Sequence, residues 1–174
     1  VTDVVSYGER TEADILKIAV SIESVSEHPL AQAVAAKAAE RHISPREIVD
    51  FEALSGLGAR GVIDGKECIL GNRRLMEKEG IGVEGLEQTA DRLAGGGKTC
   101  VFVAEEGRVA GLIAFLDPPK ASAAGAIADL KAMGLRTVLI TGDNQRSARA
   151  IGEPLGMDQI LAEGLPAGKV DAIK

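Results

Sequence analysis

The chain has 174 residues, 20 Lys+Arg against 26 Asp+Glu, a formal net charge of -6, and 45% hydrophobic residues with only one Tyr, three Phe and no Trp. That is enough chain for one domain or two small ones, with a core built from Ala, Leu, Ile and Val. An acidic balance without a basic block excludes an electrostatic footprint for DNA, RNA or an anionic membrane, and the shortage of aromatics excludes stacking platforms for single strands.

Cys68 and Cys100 lie in apolar stretches outside any CxxC pair or Cys/His cluster, and read as reduced, buried cysteines of a cytosolic protein. The longest apolar run, Val109–Leu116, is eight residues, against roughly 20 for a spanning helix. Val1-Thr2-Asp3 lacks an initiator Met, and Asp171–Lys174 stops within what reads as the start of a helix. The expectation is a piece of a longer protein.

In chain order, Thr11-Glu12-Ala13-Asp14 has capping-box order, with Asp in place of the usual Glu. Ile15, Ile18, Ala19 and Ile22 then fall on one helix face. Ser26-Glu27-His28-Pro29 ends that helix and starts another, Pro29 being tolerated in a first turn. Leu30, Ala33, Val34 and Ala38 form the second helix's apolar stripe, which stops near Arg41. From Glu47 the period changes to two. Residues 48–54 predict a strand, a glycine-rich loop follows at 55–61, and Asp64-Gly65 marks a hairpin between Val62-Ile63 and Glu67–Leu70.

Short helices are predicted at 72–79 and 84–93. Gly95-Gly96-Gly97 leads into a second hairpin, 99–104 with 108–115, turning at Glu105-Glu106-Gly107. Beyond Asp117-Pro118-Pro119 come a helix at 120–133, a strand at 137–140, a helix at 145–155 and a short strand at 159–161. That alternation is the parallel α/β pattern. Residues 116–174 carry seven acidic and seven basic residues, so the whole deficit of six belongs to 1–115. The composition thus supports two modules with a boundary near 116.

Several residues are candidates for chemistry. Gly56-x-Gly58-x-x-Gly61 has dinucleotide-fingerprint spacing, yet a hairpin strand follows where a helix is required. The pair either lets a ligand approach the backbone or merely supplies positive φ. Gly97-Lys98-Thr99 imitates the end of a phosphate loop, but position 92 is Arg and a strand follows, so Lys98 reads as a solvated residue after a turn. His28 opens a helix with Glu23 five residues upstream; it is either a surface histidine bonded to a carboxylate or a ligand contact. His42 reads as exposed, and no second His or Cys makes metal-ligand spacing with either histidine. Thr141-Gly142-Asp143-Asn144 follows an apolar strand at the end where open α/β sheets bind ligands, although Asp-Asn there is also an ordinary helix cap. Asp117 ends another apolar strand. Two acidic strand ends with Lys169 suit a Mg²⁺–phosphate site.

Taken together, the segments resemble the cytoplasmic ATP-handling region of heavy-metal-transporting P-type ATPases over nearly the whole chain. The resemblance rests on Ser26-Glu27-His28-Pro29-Leu30, Gly56-x-Gly58, Gly71-Asn72, the Asp117 strand end, Thr141-Gly142-Asp143-Asn144 and Leu165-Pro166-x-x-Lys169, in the family's order. It implies an α+β nucleotide-binding domain over 1–116, a twisted antiparallel sheet flanked by helices. An incomplete α/β phosphorylation domain of the haloacid-dehalogenase-like type would follow over 117–174. Glu23 and His28 would contact the adenine of ATP, Gly56 and Gly58 would admit the nucleotide, and Gly71 and Asn72 would line the same pocket. Asp117, Thr141, Gly142 and Asp143 would meet the phosphates and help place Mg²⁺, and Lys169 would stabilise the transferring phosphoryl group.

The family's phosphorylated Asp, in an Asp-Lys-Thr-Gly-Thr motif, and its Gly-Asp-Gly-x-x-Asn-Asp segment are absent. The resemblance therefore implies a fragment that binds ATP without turning it over. The whole protein would be an ion pump working through an aspartyl-phosphate, with this part on the cytoplasmic face of a membrane. Its partners would be ATP and the missing phosphorylation, actuator and transmembrane parts of the same chain. The fragment would be a monomer unless the incomplete domain pairs with another copy. Glu27 and the stretch from Gly71 to Met76 lean toward the copper branch over the zinc/cadmium/lead branch. The other readings are a soluble phosphohydrolase of the same α/β type and a regulatory nucleotide-binding module.

Overall fold

The computed structural model of the chain describes residues 1–26, 28, 30–116, 119–120, 122–142 and 145–162. Its first element, β1 (Asp3–Ser6), has no counterpart in the sequence reading. Four residues with a single buried side chain, Val4, give no usable periodicity. The strand exists because it pairs antiparallel with a segment more than a hundred residues away, Asp3 opposite Ala114 and Val4 opposite Ile113.

The capping box at Thr11 forms in full. Asp14 N–H donates to Thr11 Oγ1 at 3.2 Å, and Thr11 N–H donates back to Asp14 Oδ2 at 3.0 Å. Thr11 Oγ1–H also donates to Asp14 Oδ2, at 2.7 Å, and with the Thr11 N–H it holds the Asp14 carboxyl below its ordinary range. The box opens α1 (Glu12–Glu23), whose buried face takes in Leu16, Val20 and Ser21 besides the four apolar positions expected. Buried Ser21 is satisfied twice, donating to Lys17 C=O at 2.7 Å and accepting Arg46 N–H at 2.8 Å, which ties α1 to the chain entering the next strand. In α2 (Leu30–Glu40) Val34 and Ala38 are fully buried, with Leu30 and Ala33 packed at the margin of the same cluster.

The next strands, β2 (Ile48–Leu54), β3 (Gly58–Ile63) and β4 (Lys66–Gly71), run antiparallel in sequence. Asp64 and Gly65 take φ +51° and +79°, the pair of positive values that a two-residue hairpin requires. Next come α3 (Arg73–Lys78), α4 (Glu84–Gly95), β5 (Thr99–Glu105) and β6 (Arg108–Phe115). The sheet order is β1-β6-β5-β4-β3-β2, so β1 and β2 form its edges. A bulge between Val49 and Glu52, with Asp50 at φ +53°, interrupts the β2 ladder and blunts that edge.

One sheet face packs on α1 and α2 through Val4, Ala59, Ile63, Cys68, Leu70, Val103, Ile113 and Phe115. Alternation sends Ile69, Phe102, Ala104, Leu112 and Ala114 to the other face, where α3 brings Leu75 and Met76. Burial pushes the Cys68 thiol up to about 11, so it sits in the core as an inert apolar group. Cys100 is only half-buried, contrary to expectation, with its Sγ 3.7 Å from Ala90 C=O. Lys98 is likewise half-buried rather than solvated, and its carbonyl accepts Ser147 Oγ at 2.8 Å. Thr99 begins a strand, which agrees with rejecting a phosphate loop there.

The chain divides into two compact units, one of Val1–Ala90 with Cys100–Phe115, the other of Asp91–Thr99 with the described residues from Leu116 onward. The second contains α5 (Ala123–Ala132), β7 (Val138–Ile140), α6 (Gln145–Gly152) and β8 (Gln159–Leu161). β7 and β8 pair in parallel, Leu139 opposite Ile160. Asp158 latches this pair by accepting Thr137 N–H at 2.8 Å, Thr137 Oγ1–H at 2.9 Å and Lys131 Nζ at 2.8 Å.

Those donors, Lys131 first, lower the Asp158 carboxyl from 3.8 to about 2. A carboxyl lowered by folding stabilises the fold above its unfolded pKa, and the contribution is lost as pH falls through the folded value. Asp158→Asn is therefore expected to lower the melting temperature at neutral pH and to flatten the loss of stability between 3.8 and about 2. Thermal melts across that range check it; an unchanged acid limb would show that the latch does not contribute.

Candidate functional site

The turn between α1 and α2 is built from successive local hydrogen bonds. Ser24 N–H bonds Val20 C=O and closes α1, and Ser24 Oγ–H donates to Ser21 C=O at 2.7 Å. Ser26 N–H donates to Glu23 C=O at 3.2 Å. His28 N–H then donates to Ser26 Oγ at 3.1 Å, a serine turn of the kind that competes with helix continuation. Two further bonds end on His28: Leu30 N–H donates to its Nδ1 at 3.2 Å, and Ala31 N–H donates to its carbonyl at 2.9 Å. His28 thereby takes up amides that the first turn of α2 would otherwise leave unpaired, while its side chain stays exposed.

Glu23, the last residue of α1, is half-buried, and among the described residues its Oε2, sealed from solvent, has no hydrogen-bond partner. Burial raises its carboxyl above the ordinary 4.5, while Ser26 and the charge of His28 pull the other way. Glu23 also lines an open groove of about 490 Å³ between α1 and α2, with Ala31, Ala35 and His42 among its walls. His42 is exposed, as expected.

A second cluster forms where β3 begins and β4 ends. Gly58 and Gly71 stand opposite each other in the ladder. A methyl on Gly58, at φ +151°, would lie 2.1 Å from Leu70 O and 2.5 Å from Gly71 Cα. One on Gly71 would lie 2.4 Å from Leu75 Cδ2 and 2.7 Å from Leu57 O. Close approach of backbone to backbone therefore requires glycine at both positions. Gly56 differs: its φ of +71° demands glycine, but the space around it is open.

Asn72 joins this loop to α3. Its Oδ1 accepts Leu75 N–H at 3.0 Å as the helix cap, its Nδ2 donates to Gly56 C=O at 3.0 Å, and its own N–H bonds Leu57 C=O at 2.9 Å. The structure thus gathers Gly56, Gly58, Gly71 and Asn72 in one place and Glu23 with His28 in another. Among the described residues no hydrogen bond or ion pair connects the two. Ser26 is the member of the turn to which sequence reading gave no role of its own. A hydroxyl two residues before a helix-opening residue was the available signal.

In the second unit, Thr141 follows β7 and donates its N–H to Leu161 C=O at 3.0 Å, with Gly142 next in the loop. Asp117, Asp143 and Lys169 lie outside the described residues. Among the described residues no group of three or more His, Cys, Asp or Glu side chains is placed to hold a metal ion, and no helix is long and apolar enough to cross a membrane.

The whole chain, residues 1–174, matches the model of a hydrolase family described as haloacid dehalogenase-like hydrolase, and the protein belongs to that family. Relatives similar to this chain include copper- and silver-transporting P-type ATPases. The chain is 41% identical over 168 residues, 97% of its length, to a copper-transporting P-type ATPase of Rhizobium leguminosarum bv. viciae. It is 40% identical over 174 residues, 99% of its length, to a copper-transporting ATPase of Rhizobium meliloti (strain 1021). It spans only 20% and 21% of those two relatives. Among solved structures, a zinc-transporting PIB-type ATPase in an E2·Pi state aligns with 99% of this chain and 28% of its own, at TM-score 0.65 and 30% identity.

Proposed function

We propose that the chain is the ATP-handling part of a heavy-metal-exporting P-type ATPase. Residues 1–116 would be its nucleotide-binding domain and 117–174 a portion of its phosphorylation domain. The observation that carries the reading is the buried Oε2 of Glu23, without a hydrogen-bond partner among the described residues, in the same turn as an exposed, backbone-anchored His28. A buried acceptor without a donor is costly unless a ligand supplies one, and the exocyclic amine of adenine is such a donor. The glycine cluster supports the same reading. Gly56 leaves open space at a bend whose geometry Asn72 braces, so a flat or anionic ligand can approach main chain there.

In this reading Glu23 accepts from the base, His28 orients it, and the Gly56 loop lies along the nucleotide. Thr141 and Gly142, with Asp117, Asp143 and Lys169, meet the phosphates, and Mg²⁺ would offset phosphate charge when bound by the carboxylates. The part binds ATP, and the aspartyl-phosphate chemistry belongs to the longer protein on the cytoplasmic side of its membrane. Copper is favoured as the cargo by the curated relatives and by the stretch from Gly71 to Met76. The zinc-transporting structure keeps zinc as the second reading.

An amide-resolved NMR titration with ATP and with GTP tests the proposal, the expected result being shifts at Glu23, His28, Gly56 and Asn72 that are strong with ATP and weak with GTP. No shifts with either nucleotide would overturn it. Glu23→Gln separates binding from stability. Because the folded carboxyl titrates above its unfolded value, its contribution is complete below the ordinary 4.5 and is lost as pH rises through the raised value. Glu23→Gln is thus expected to raise the melting temperature at neutral pH while weakening ATP binding, a trade of site strain for stability. A variant that melts lower and binds equally well would reverse the assignment.

A further inference from the structure

We infer that the glycine turn at 95–98 is a docking socket for α6, latched by Ser147, and that this socket sets where the Thr141-Gly142 loop stands. The phosphate-facing role of that loop rests on the reading above. The turn is spelled like the end of a phosphate loop, whose chemistry requires backbone amides aimed at a ligand. Here those amides are spent within the turn. Gly96 N–H and Lys98 N–H donate to Leu93 C=O at 3.0 and 3.2 Å, and Gly97 N–H donates to Ala94 C=O at 2.9 Å. What the turn offers instead is a carbonyl: Lys98 C=O accepts Ser147 Oγ–H at 2.8 Å.

Ser147 is completely buried. A methyl on Gly97, whose φ is +78°, would lie 3.6 Å from Ala150 Cβ and 3.7 Å from Ile151 Cγ1, ordinary contact distances. Ser147, Ala150 and Ile151 stand at i, i+3 and i+4, so a single face of α6 meets the turn. Arg146 adds an exposed ion pair with Asp91 at 3.2 Å, which contributes little by itself. The turn and α6 both belong to the second compact unit. The loop that opens at Thr141 and Gly142 leads directly into α6, and at its other end Thr141 N–H is bonded to Leu161 C=O. It is therefore tied to the β7–β8 pair on one side and, through α6, to the socket on the other. Ser147 is a positioning residue that acts through the helix and not on the ligand.

The test combines hydrogen exchange with two affinities, measured on the 174-residue chain. Ser147→Ala removes the latch. It is expected to lose amide protection in α6 and in the turn while β7 and β8 stay protected. Its affinity for ATP with Mg²⁺ is expected to fall about fivefold, as for one lost hydrogen bond. Adenosine, which has no phosphates, is expected to bind it as tightly as it binds the wild-type chain. Gly97→Asn is the second variant. Asn tolerates the positive φ, but its side chain would press on Ala150 and Ile151, so α6 is expected to loosen with the Ser147 hydroxyl still present.

Wild-type protection of α6 in Ser147→Ala would overturn the latch, and the same result in both variants would overturn the socket. Protection lost throughout β7 and β8 would make Ser147 a general stabiliser of the unit and overturn its positioning role. A loosened α6 with unchanged ATP affinity, or with an equal loss of adenosine binding, would do the same. A wild-type chain that binds neither ATP nor adenosine would overturn the nucleotide reading and the loop's role with it, and the exchange comparison would still decide the socket.

Discussion

Gly58→Ala is expected to be among the most destabilising single substitutions in the first unit, costing on the order of 3 kcal/mol or more from backbone strain and overpacking together. Its Cβ would sit 2.1 Å from Leu70 O and 2.5 Å from Gly71 Cα, both backbone atoms of the partner strand, so no rotamer change relieves the overlap. β3 and β4 would have to separate where they join the Gly56 loop to the Asn72 cap. Gly56→Ala is the control. It has the φ penalty of +71° but open space, so a cost of about 1–2 kcal/mol is expected. Urea denaturation of both variants, followed by amide protection in β3 and β4, makes the comparison. Equal stabilities would show that the glycine pair is not a packing device.

The distinction bears on function. Loss of ATP binding in Gly58→Ala would follow from a disrupted ladder and would not identify a ligand contact. Loss of binding in Gly56→Ala with amide protection retained would point to the ligand. The two glycines, one residue apart and indistinguishable as a sequence motif, therefore need opposite interpretations.

Phe102→Ala is expected to cost about 3–5 kcal/mol, the range for deleting a buried aromatic ring. Phe102 is 2% exposed, the largest of the fully enclosed side chains, and stands opposite Gly71 in the β4–β5 ladder. The absence of a side chain at Gly71 leaves Leu75 and Phe102 to fill the layer on that face. The chain has three Phe and no Trp, so little aromatic bulk is available to refill the cavity. Phe102→Leu should recover most of the loss because it conserves much of the volume. Melting temperatures of the two variants check this, and a near-neutral Phe102→Ala would mean that α3 collapses onto the sheet.

Much of the local structure was legible in the sequence because its causes are local. Thr11 and Asp14 cap α1 across three residues, Asp64-Gly65 turns a hairpin that its neighbours then pair, and the stripe of Val34 and Ala38 gives α2 its buried side. The alternation of helix and strand beyond 120 likewise predicts the parallel pairing of β7 with β8.

Other features depend on residues that meet only after folding. β1 is a strand because Ile113 and Ala114 lie opposite it, not because Asp3–Ser6 favours extension. The half-exposure of Cys100 and the bulge at Asp50 depend on neighbours supplied from elsewhere in the chain. The site divides the same way. That Glu23, His28 and the glycines were notable could be read from residue type and spacing. That Gly58 and Gly71 face each other, that Asn72 is occupied as a cap and brace, and that Glu23 keeps a sealed oxygen without a partner among the described residues were decided by tertiary structure, because burial and cross-strand register are properties of pairs of segments and no single segment encodes them.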